Sequence, residues 1–352
     1  MENIFIKSGW ETRLNLSGLL KDNHIASIAL IFLFFGSCEK SEEFFLDDQC
    51  HYDFQNCVTV ETTYSPFHYD RVKICDSRSI IYTLRDQANG IYRLMVYDRQ
   101  NNERRIIQSD IQVVSELDVK GDLVIYSDLD WQLRTVNINT GHQELLTNSP
   151  RNLGGRFNEF GDRIYYARSY NFSQAELNEK PERRYQYKMM VSDLNGSVID
   201  SICVDDPEGY CQNWETNYDW FSDNEFIARG LSSDQSNWEV SLYEHDGRKI
   251  KSLFEVSLNA GVESIVALIN SNKFYFGTKS GIFEYDTQTN SSRMIVKACR
   301  NSFYPSFDIS EDGKYLIAVK SENIVMDKCS AHLVSYLVQI STVDGNESII
   351  LQ

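Results

Sequence analysis

A unit of about 47 residues recurs from about Tyr69 to the end of the chain. Each copy contains a short strand, a tight polar turn, a hydrophobic strand, a variable loop, an alternating strand, a second tight turn and a last strand. Since one four-stranded unit cannot bury both of its faces alone, neighbouring copies must stack side by side. Six copies are marked by first turns at Ser77, Gly121, Gly161, Asp223, Ser271 and Asp312, and by second turns at Asn101-Asn102, Thr140-Gly141, Asn195-Gly196, Asp246-Gly247, Thr287-Gln288 and Asp344-Gly345.

The turns and the strands between them are typical of antiparallel β-structure. Asn-Gly and Asp-Gly, as at Asn195-Gly196 and Asp344-Gly345, supply the positive φ angles that two-residue hairpins require. Apolar and polar residues alternate from Leu133 to Ile138, and the 20 Tyr and 19 Phe residues favour strands over helices. We therefore predict an all-β fold, a six-bladed β-propeller of four-stranded antiparallel blades over residues 67–352. A β-sandwich whose turn spacing is coincidental is the alternative.

The clearest copy of the unit, from Asp308 to Val319, reads DISEDGKYLIAV. It resembles the WD40-like repeat of TolB-type propellers, and the stretches that begin at Arg156 and Asp219 are weaker copies. Glu311 stands where that repeat usually has proline, and the first, second and fifth units have lost most of the signature. The resemblance covers about residues 69–351 and implies a propeller fold. It leaves the function open, because such blades serve as scaffolds in many proteins.

A second signal lies in the first 40 residues. The stretch from Ile25 to Phe35 is apolar or small throughout, too short to span a bilayer but suited to a signal-peptide core. The sequence from Phe35 to Cys38, Phe-Gly-Ser-Cys, resembles a bacterial lipobox, with Phe in place of the commoner Leu. We predict a signal peptide over residues 1–37, a lipid on Cys38, and a tether and leader over residues 38–66. A buried hydrophobic strand followed by a loop is the alternative.

This N-terminal signal also predicts where the protein resides. The charged run Glu-Lys-Ser-Glu-Glu after Cys38 resembles the acidic signal that sends some Gram-negative lipoproteins to the cell surface. We therefore expect a protein of the bacterial outer membrane, held there by its lipid anchor and exposed at the cell surface.

Charge and motifs exclude several classes of function. The formal net charge is −17, and charges balance within residues 1–37, so the whole −17 belongs to the remainder. A polyanion of this size repels phosphate backbones, which argues against nucleic-acid binding. The sequence has no G-x-S-x-G motif, no histidine cluster, and no ligands to complete a calcium site around Asp128 and Asp130. We expect no metal and no cofactor. We predict a binding module of the cell envelope, its ligand a glycan or a partner protein; the alternative is a stand-alone propeller enzyme, a polysaccharide lyase or glycosidase.

The longest links between predicted strands belong to one face of the propeller. They run over residues 170–184, 204–213, 230–238 and 321–332, in the third, fourth and sixth units. Links longer than the connection needs often bind ligands. Aromatic faces beside charged groups suit a sugar or an extended peptide. The alternative is that these are solubilising loops whose aromatic residues pack on the blades. The candidate binding residues are Tyr170, Arg183, Arg184, Tyr210, Trp214, Trp238 and His332.

The cysteine count fits an exported protein. Apart from Cys38, seven cysteines remain, so at least one thiol stays free. We expect the free thiol to be Cys75, buried in an inner strand. The hypothesised disulfides join residues that lie near one another in the predicted loops or leader: Cys203 with Cys211, Cys299 with Cys329, and Cys50 with Cys57.

Overall fold

The structure is a computed structural model. It describes residues 61–111, 113, 117–147, 151–158, 160–169, 173–179, 186–202, 211–212, 217–222, 224–232, 236–298, 302–327 and 330–352. Cys38, the predicted signal peptide and most of the predicted tether therefore lie outside the described residues.

The first half of the described chain forms three antiparallel sheets, each built from consecutive strands. A short strand, β1 (Glu61–Tyr64), precedes them. Blade 1 contains β2 (Phe67–Ile74), β3 (Ser79–Asp86), β4 (Ile91–Asp98) and β5 (Glu103–Ser109); blade 2 contains β6 (Asp118–Lys120), β7 (Leu123–Ser127), β8 (Leu133–Asn137) and β9 (Gln143–Leu145); blade 3 contains β10 (Asn152–Phe157), β11 (Arg163–Ser169), α1 (Gln174–Glu179), β12 (Gln186–Asp193), β13 (Val198–Ile202) and β14 (Cys211–Gln212).

The second half repeats the same order of strands in three more sheets. Blade 4 contains β15 (Tyr218–Ser222), β16 (Glu225–Leu231), β17 (Asn237–Glu244) and β18 (Lys249–Ser257); blade 5 contains β19 (Ser264–Ala267), β20 (Lys273–Thr278), β21 (Gly281–Asp286) and β22 (Ser291–Lys297); blade 6 contains β23 (Ser302–Ile309), β24 (Tyr315–Asp327), β25 (Ser330–Ser341) and β26 (Glu347–Leu351). The predicted six-bladed β-propeller of four-stranded blades is confirmed.

The predicted tight turns join the first two and the last two strands of each blade. The glycines of the Asn-Gly and Asp-Gly turns have positive φ, 81° at Gly196 and 70° at Gly345. A side chain at Gly345 would place its Cβ 2.2 Å from the carbonyl oxygen of Ile295, on the outer strand of the neighbouring blade. Glycine is therefore required here both by the turn and by the close approach of the next blade.

Hydrophobic clusters fill the spaces between neighbouring blades. Among the described residues there are six such clusters, and each contains side chains from two adjacent blades. One of them joins the last blade to the first, where Tyr69 and Tyr82 of blade 1 pack with Ile317 and Leu337 of blade 6. Each blade thus covers one face of the next, as the repeat predicted, and the ring is closed by the same kind of packing that joins its other members.

Blade 6 also holds the strand that precedes the ring. β1 pairs in parallel with the first residues of β25, Glu61 opposite Ser330 and Tyr64 opposite Leu333. All four strands of blade 6 come from the C-terminal end of the chain, so β1 is added to a complete blade.

The prediction of a long loop over residues 321–332 is wrong in one respect. β24 and β25 continue through most of it as a hairpin that extends beyond the rest of blade 6, and pairing with β1 contributes to its order. Within the described part of the chain, no helix is long and apolar enough to cross a membrane.

Candidate functional site

The two faces of the propeller differ in the length of their links. In each blade the first and third links are the tight turns, and they emerge on one side, which we call the turn face. The second link and the link between blades emerge on the other side, the loop face. The first strands of the blades, β2, β6, β10, β15, β19 and β23, approach one another around the central channel. Polar side chains on and beside these strands form two layers along the channel.

The outer layer lies towards the loop face, and we call it the channel mouth. It contains Asp70, Arg71, Asn217, Arg229, Trp238, Glu263 and Lys279. A β-bulge in β2 between Tyr69 and Val72 sets Asp70 and Arg71 apart from the regular pairing. The backbone N–H of Arg71 donates to Thr83 Oγ1 at 2.9 Å, and its guanidinium lies 3.1 Å from the Asp70 carboxylate.

Blade 4 contributes an arginine stacked on an indole. Arg229 on β16 lies opposite Val240 on β17, so Trp238, two residues earlier, is its diagonal neighbour on the same face of the sheet. The Arg229 Cζ atom lies 4.1 Å from the centre of the Trp238 ring. Its guanidinium donates to the carbonyl oxygen of Val262. With the Asn217 amide turned so that both of its polar atoms are paired, the amide oxygen accepts from the same guanidinium at 2.8 Å. These contacts hold the guanidinium against the indole.

Glu263 connects the groups of the mouth. Burial raises the pKa of its carboxyl, while the charges of Lys279, Arg229 and Arg71 act to lower it. Arg71 belongs to blade 1 and Glu263 precedes the first strand of blade 5, and these blades are not neighbours in the ring. Their charges interact because both face the channel. The mouth therefore assembles groups from blades 1, 4 and 5, of which blade 1 is far from the other two in sequence.

The inner layer, which we call the ionic ring, occupies one equivalent position on successive first strands. It contains Lys73, Asp118, Arg156, Asp219 and Asp308, and blade 5 has Val266 at this position. Lys73 Nζ lies 3.0 Å from Asp308 Oδ1 and 3.8 Å from Asp118 Oδ1.

The three carboxylates of the ionic ring also join neighbouring blades through the backbone. Asp308 accepts from the N–H of Ile74 at 2.8 Å, Asp118 from that of Phe157 at 2.7 Å, and Asp219 from that of Ala267 at 2.9 Å. Blades 6, 2 and 4 are thereby tied to blades 1, 3 and 5.

Carboxylates outnumber cations three to two in the ionic ring, and this imbalance is visible in the pKa directions. Burial raises the pKa of Asp118 and of Asp308, and the charge of Asp219 adds to the rise. Burial acts to lower the pKa of Lys73, but the three carboxylates, Asp308 first, outweigh it and raise that pKa. The raised pKa values of the two aspartates and of Lys73 all follow from one surplus negative charge in a poorly hydrated channel.

Sequence reasoning missed the ionic ring, although a signal was present. Each of its members lies three to five residues before the first tight turn of its unit. Taken in blade order within this window, the residues are Lys, Asp, Arg, Asp, Val and Asp, an alternation that suggests charges facing one another around an axis. The residues of the channel mouth show no such pattern in the sequence, because the bulge in β2 shifts Asp70 and Arg71 out of the regular strand pairing.

The structure places two of the candidate binding residues. Trp238 is half-buried at the mouth and also packs against the cluster between blades 4 and 5. His332 lies away from this group, on the extended hairpin, where its Nδ1 is hydrogen-bonded to Thr63 Oγ1 at 2.9 Å. The other candidates, Tyr170, Arg183, Arg184, Tyr210 and Trp214, lie outside the described residues.

The cysteines are described only in part. Cys75 is a free thiol, as predicted, but it is half-buried and lies just after β2. Burial raises its pKa to about 11, with Asp76 and Asp122 adding to the effect, so the reactive thiolate is scarce at neutral pH. Cys50, Cys57, Cys203, Cys299 and Cys329 lie outside the described residues, as does the side chain of Cys211. The three disulfides therefore stay predictions.

The described residues of the channel mouth provide charged and aromatic side chains that can contact a ligand. No set of three or more His, Cys, Asp or Glu side chains is arranged to hold a metal ion in the part of the chain that the structure covers. The mouth combines an indole, three cations and two carboxylates, which can bind a polar ligand through stacking and charge-assisted hydrogen bonds.

Comparison with known proteins supports the fold. No family model matches the sequence, and no curated protein matches it. The structure described as TolB from Agrobacterium tumefaciens has a TM-score of 0.53 and 10% identity, and the match covers 78% of this chain and 88% of that one. The uncomplexed acylaminoacyl peptidase of Pyrococcus horikoshii has a TM-score of 0.52 and 12% identity, covering 81% of this chain and 52% of that one. This chain thus spans about half of the peptidase. The resemblance to TolB-type propellers is confirmed for the fold.

Proposed function

We propose that this protein is a lipid-anchored binding module of the bacterial cell envelope that holds a glycan or a partner protein at the channel mouth. The observation that carries the proposal is that the charges of Arg71 and Arg229 act on the carboxyl of Glu263 on the face with the long links, although the three residues belong to three blades. Such convergence of polar groups is typical of a binding site.

The charges of the mouth favour a ligand with negative groups. The charges of Arg71, Arg229 and Lys279 all act on Glu263, in a protein whose net charge is −17. Asp70 neutralises part of this charge through Arg71. Lys279 is exposed, so its ammonium is accessible to a ligand without any rearrangement of the blades. An acidic peptide segment and an acidic glycan both have the chemistry to bind here.

Reversing one charge at the mouth should weaken binding. We expect Lys279→Glu to reduce affinity at least about tenfold, or about 1.4 kcal/mol, because an attraction becomes a repulsion. The measurement is isothermal titration of the protein with a polyglutamate peptide, with an oligogalacturonate and, as a neutral reference, with maltohexaose.

The matched control is Lys314→Glu, which reverses an exposed charge in the first turn of blade 6, on the turn face. It should leave each affinity unchanged. Binding of the peptide alone would identify a protein ligand, and binding of the oligogalacturonate alone a glycan. Equal affinities for wild type and Lys279→Glu would remove the mouth as the site. Turnover of the oligosaccharide would instead support the enzyme alternative.

The lipid anchor is tested separately. We expect Cys38→Ala to abolish metabolic labelling with a palmitate analogue and to release the protein from the membrane fraction, because the thioether that carries the diacylglycerol cannot form. Cys75→Ala, which removes the half-buried free thiol, is the control and should label normally. Persistent labelling of Cys38→Ala would overturn the lipoprotein interpretation and leave the binding proposal unaffected.

A further inference from the structure

Two residues on the loop face have a backbone conformation that their side chains disfavour. Among the described residues, six other than glycine have a positive φ angle. Four of them are asparagine or aspartate, which tolerate this left-handed region: Asn102, Asp110, Asn270 and Asn290. The other two are Trp131, with a φ of 60°, and Arg151, with a φ of 71°. Such conformations cost free energy and are often found where a side chain has a function.

The turn that contains Trp131 is one in which glycine is usual. It is the second link of blade 2, where the N–H of Trp131 donates to the carbonyl oxygen of Asp128 at 2.9 Å and the Asp128 carboxylate accepts from the N–H of Gln132 at 3.0 Å. The residue of positive φ that ends such a turn is normally glycine, because it has no Cβ. Trp131 is 42% exposed, whereas Trp220 in the core is 5% exposed. Packing therefore compensates only in part for the backbone conformation.

Arg151 lies directly beside this turn. The N–H of Asn152 donates to the carbonyl oxygen of Trp131 at 2.6 Å, which joins the link between blades 2 and 3 to the turn of blade 2. Arg151 and Asp130 are both exposed, and within the described chain neither side chain has a hydrogen bond or an ion pair. Leu129, in the same turn, is 53% exposed. We call Leu129, Asp130, Trp131 and Arg151 the rim patch.

The rim patch combines an exposed indole with one carboxylate and one guanidinium. The apolar C–H face of a sugar ring can stack on an indole. Because a sugar hydroxyl is both a donor and an acceptor, it can donate to Asp130 or accept from Arg151. A ligand of a single charge would be attracted by one of these groups and repelled by the other. One tryptophan and one leucine also provide little apolar surface for a stable protein interface, which buries more than about 1,000 Å².

We infer that the rim patch is a subsite for a neutral glycan, in which a sugar ring stacks on Trp131 and its hydroxyls bind Asp130 and Arg151. The unusual backbone conformations of Trp131 and Arg151 are then explained by a ligand that needs these two side chains. The inference does not rest on the channel mouth. The mouth is formed by blades 1, 4 and 5, and the rim patch by blade 2 and its link to blade 3.

The test is isothermal titration of the full chain, in a detergent without a sugar headgroup, with the neutral glycans cellohexaose and chitohexaose. Wild type should bind at least one of them with a Kd below about 5 mM. Trp131→Gly should weaken this binding at least tenfold, because the stacking surface is lost. Its melting temperature should stay within about 4 °C of wild type, because glycine relieves the backbone strain. A larger fall would mean that the indole serves the fold, and would overturn the inference.

Further variants separate the rim patch from other surfaces. Arg151→Gly should weaken binding of the same glycan about threefold or more, since its hydrogen bonds to hydroxyls are lost. Phe160→Ala removes an aromatic side chain that is 72% exposed on the turn face, and it should bind as wild type does. Lys279→Glu, at the mouth, should also leave this affinity unchanged.

Several results would contradict the inference. They are failure of wild type to bind either glycan, binding that Trp131→Gly leaves unchanged, and binding that Lys279→Glu abolishes. If Trp131→Gly instead abolished binding of a polyglutamate peptide, the rim patch would serve a protein partner and the glycan subsite would be rejected. Loss of the mouth as a site, shown by acidic ligands that Lys279→Glu binds normally, would leave the rim patch unaffected.

Discussion

Replacing Lys73 with methionine is expected to lower the free energy of unfolding by about 3–5 kcal/mol at pH 7. Lys73 is buried beside Asp308 and Asp118, and its side chain is only 11% exposed. Methionine fills much of the same space but removes the cation, so two buried carboxylates lose their nearest positive charge. The loss is a large part of the 5–15 kcal/mol that stabilises an ordinary domain. Urea denaturation at pH 7 measures it.

Two control variants make this result specific. Lys314→Met removes the ammonium of an exposed pair with Asp312, 2.8 Å apart, and should leave the free energy of unfolding unchanged. Asp118→Asn keeps an acceptor for the N–H of Phe157 and leaves two acids facing two cations, so it should cost far less than Lys73→Met. A loss below about 1 kcal/mol for Lys73→Met would mean that water already screens the ionic ring.

The same variants should differ in their dependence on pH. The folded-state pKa values of Asp118 and Asp308 lie above their ordinary 3.8, so the folded state holds these protons more tightly than the unfolded chain. Their contribution to stability is greatest at low pH and declines as the pH rises from about 4. Asp118→Asn should show less of this decline. The pKa of Lys73 lies above its ordinary 10.5, so its contribution persists below that pH and is lost above it.

Removing blade 6 is expected to unfold the whole propeller. A chain ending at Asn301 lacks β23 to β26, and with them the cover over six buried side chains of blade 1 and five of blade 5. Each fully buried apolar side chain contributes about 1.5–3 kcal/mol, so the loss exceeds the total stability of an ordinary domain. The truncated chain should be insoluble, or should lack a cooperative thermal transition by circular dichroism.

The control for this experiment disturbs a strand outside the ring. Thr63→Pro interrupts the pairing of β1 with β25 but leaves all four strands of blade 6 in place. It should therefore melt cooperatively, close to the wild-type temperature. If the chain ending at Asn301 were soluble and melted in one sharp transition, five blades would be stable without the sixth, and closure of the ring would not be what holds the fold together.

Local features were sufficient to predict the number of blades and the position of their turns. A turn such as Asn195-Gly196 or Asp344-Gly345 depends on φ angles that a few neighbouring residues determine. Six repetitions of the same local pattern then leave few ways to bury both faces of each sheet. The length of the last hairpin, β24 and β25, could not be predicted from such local features. The polar and apolar residues from Ser321 to His332 suit a loop or a strand equally, and the deciding partner, β1, lies 268 residues earlier.

What the sequence by itself determined is therefore the repeated unit, its strands and turns, and hence the propeller. The tertiary structure alone decided which charges meet. Arg71 and Glu263 belong to blades that do not touch, and Lys73 and Asp308 are 235 residues apart, yet each pair faces the same channel. The physical reason is that turns and strand periods depend on neighbouring residues, whereas the energy of a buried charge depends on every group that ring closure brings around it.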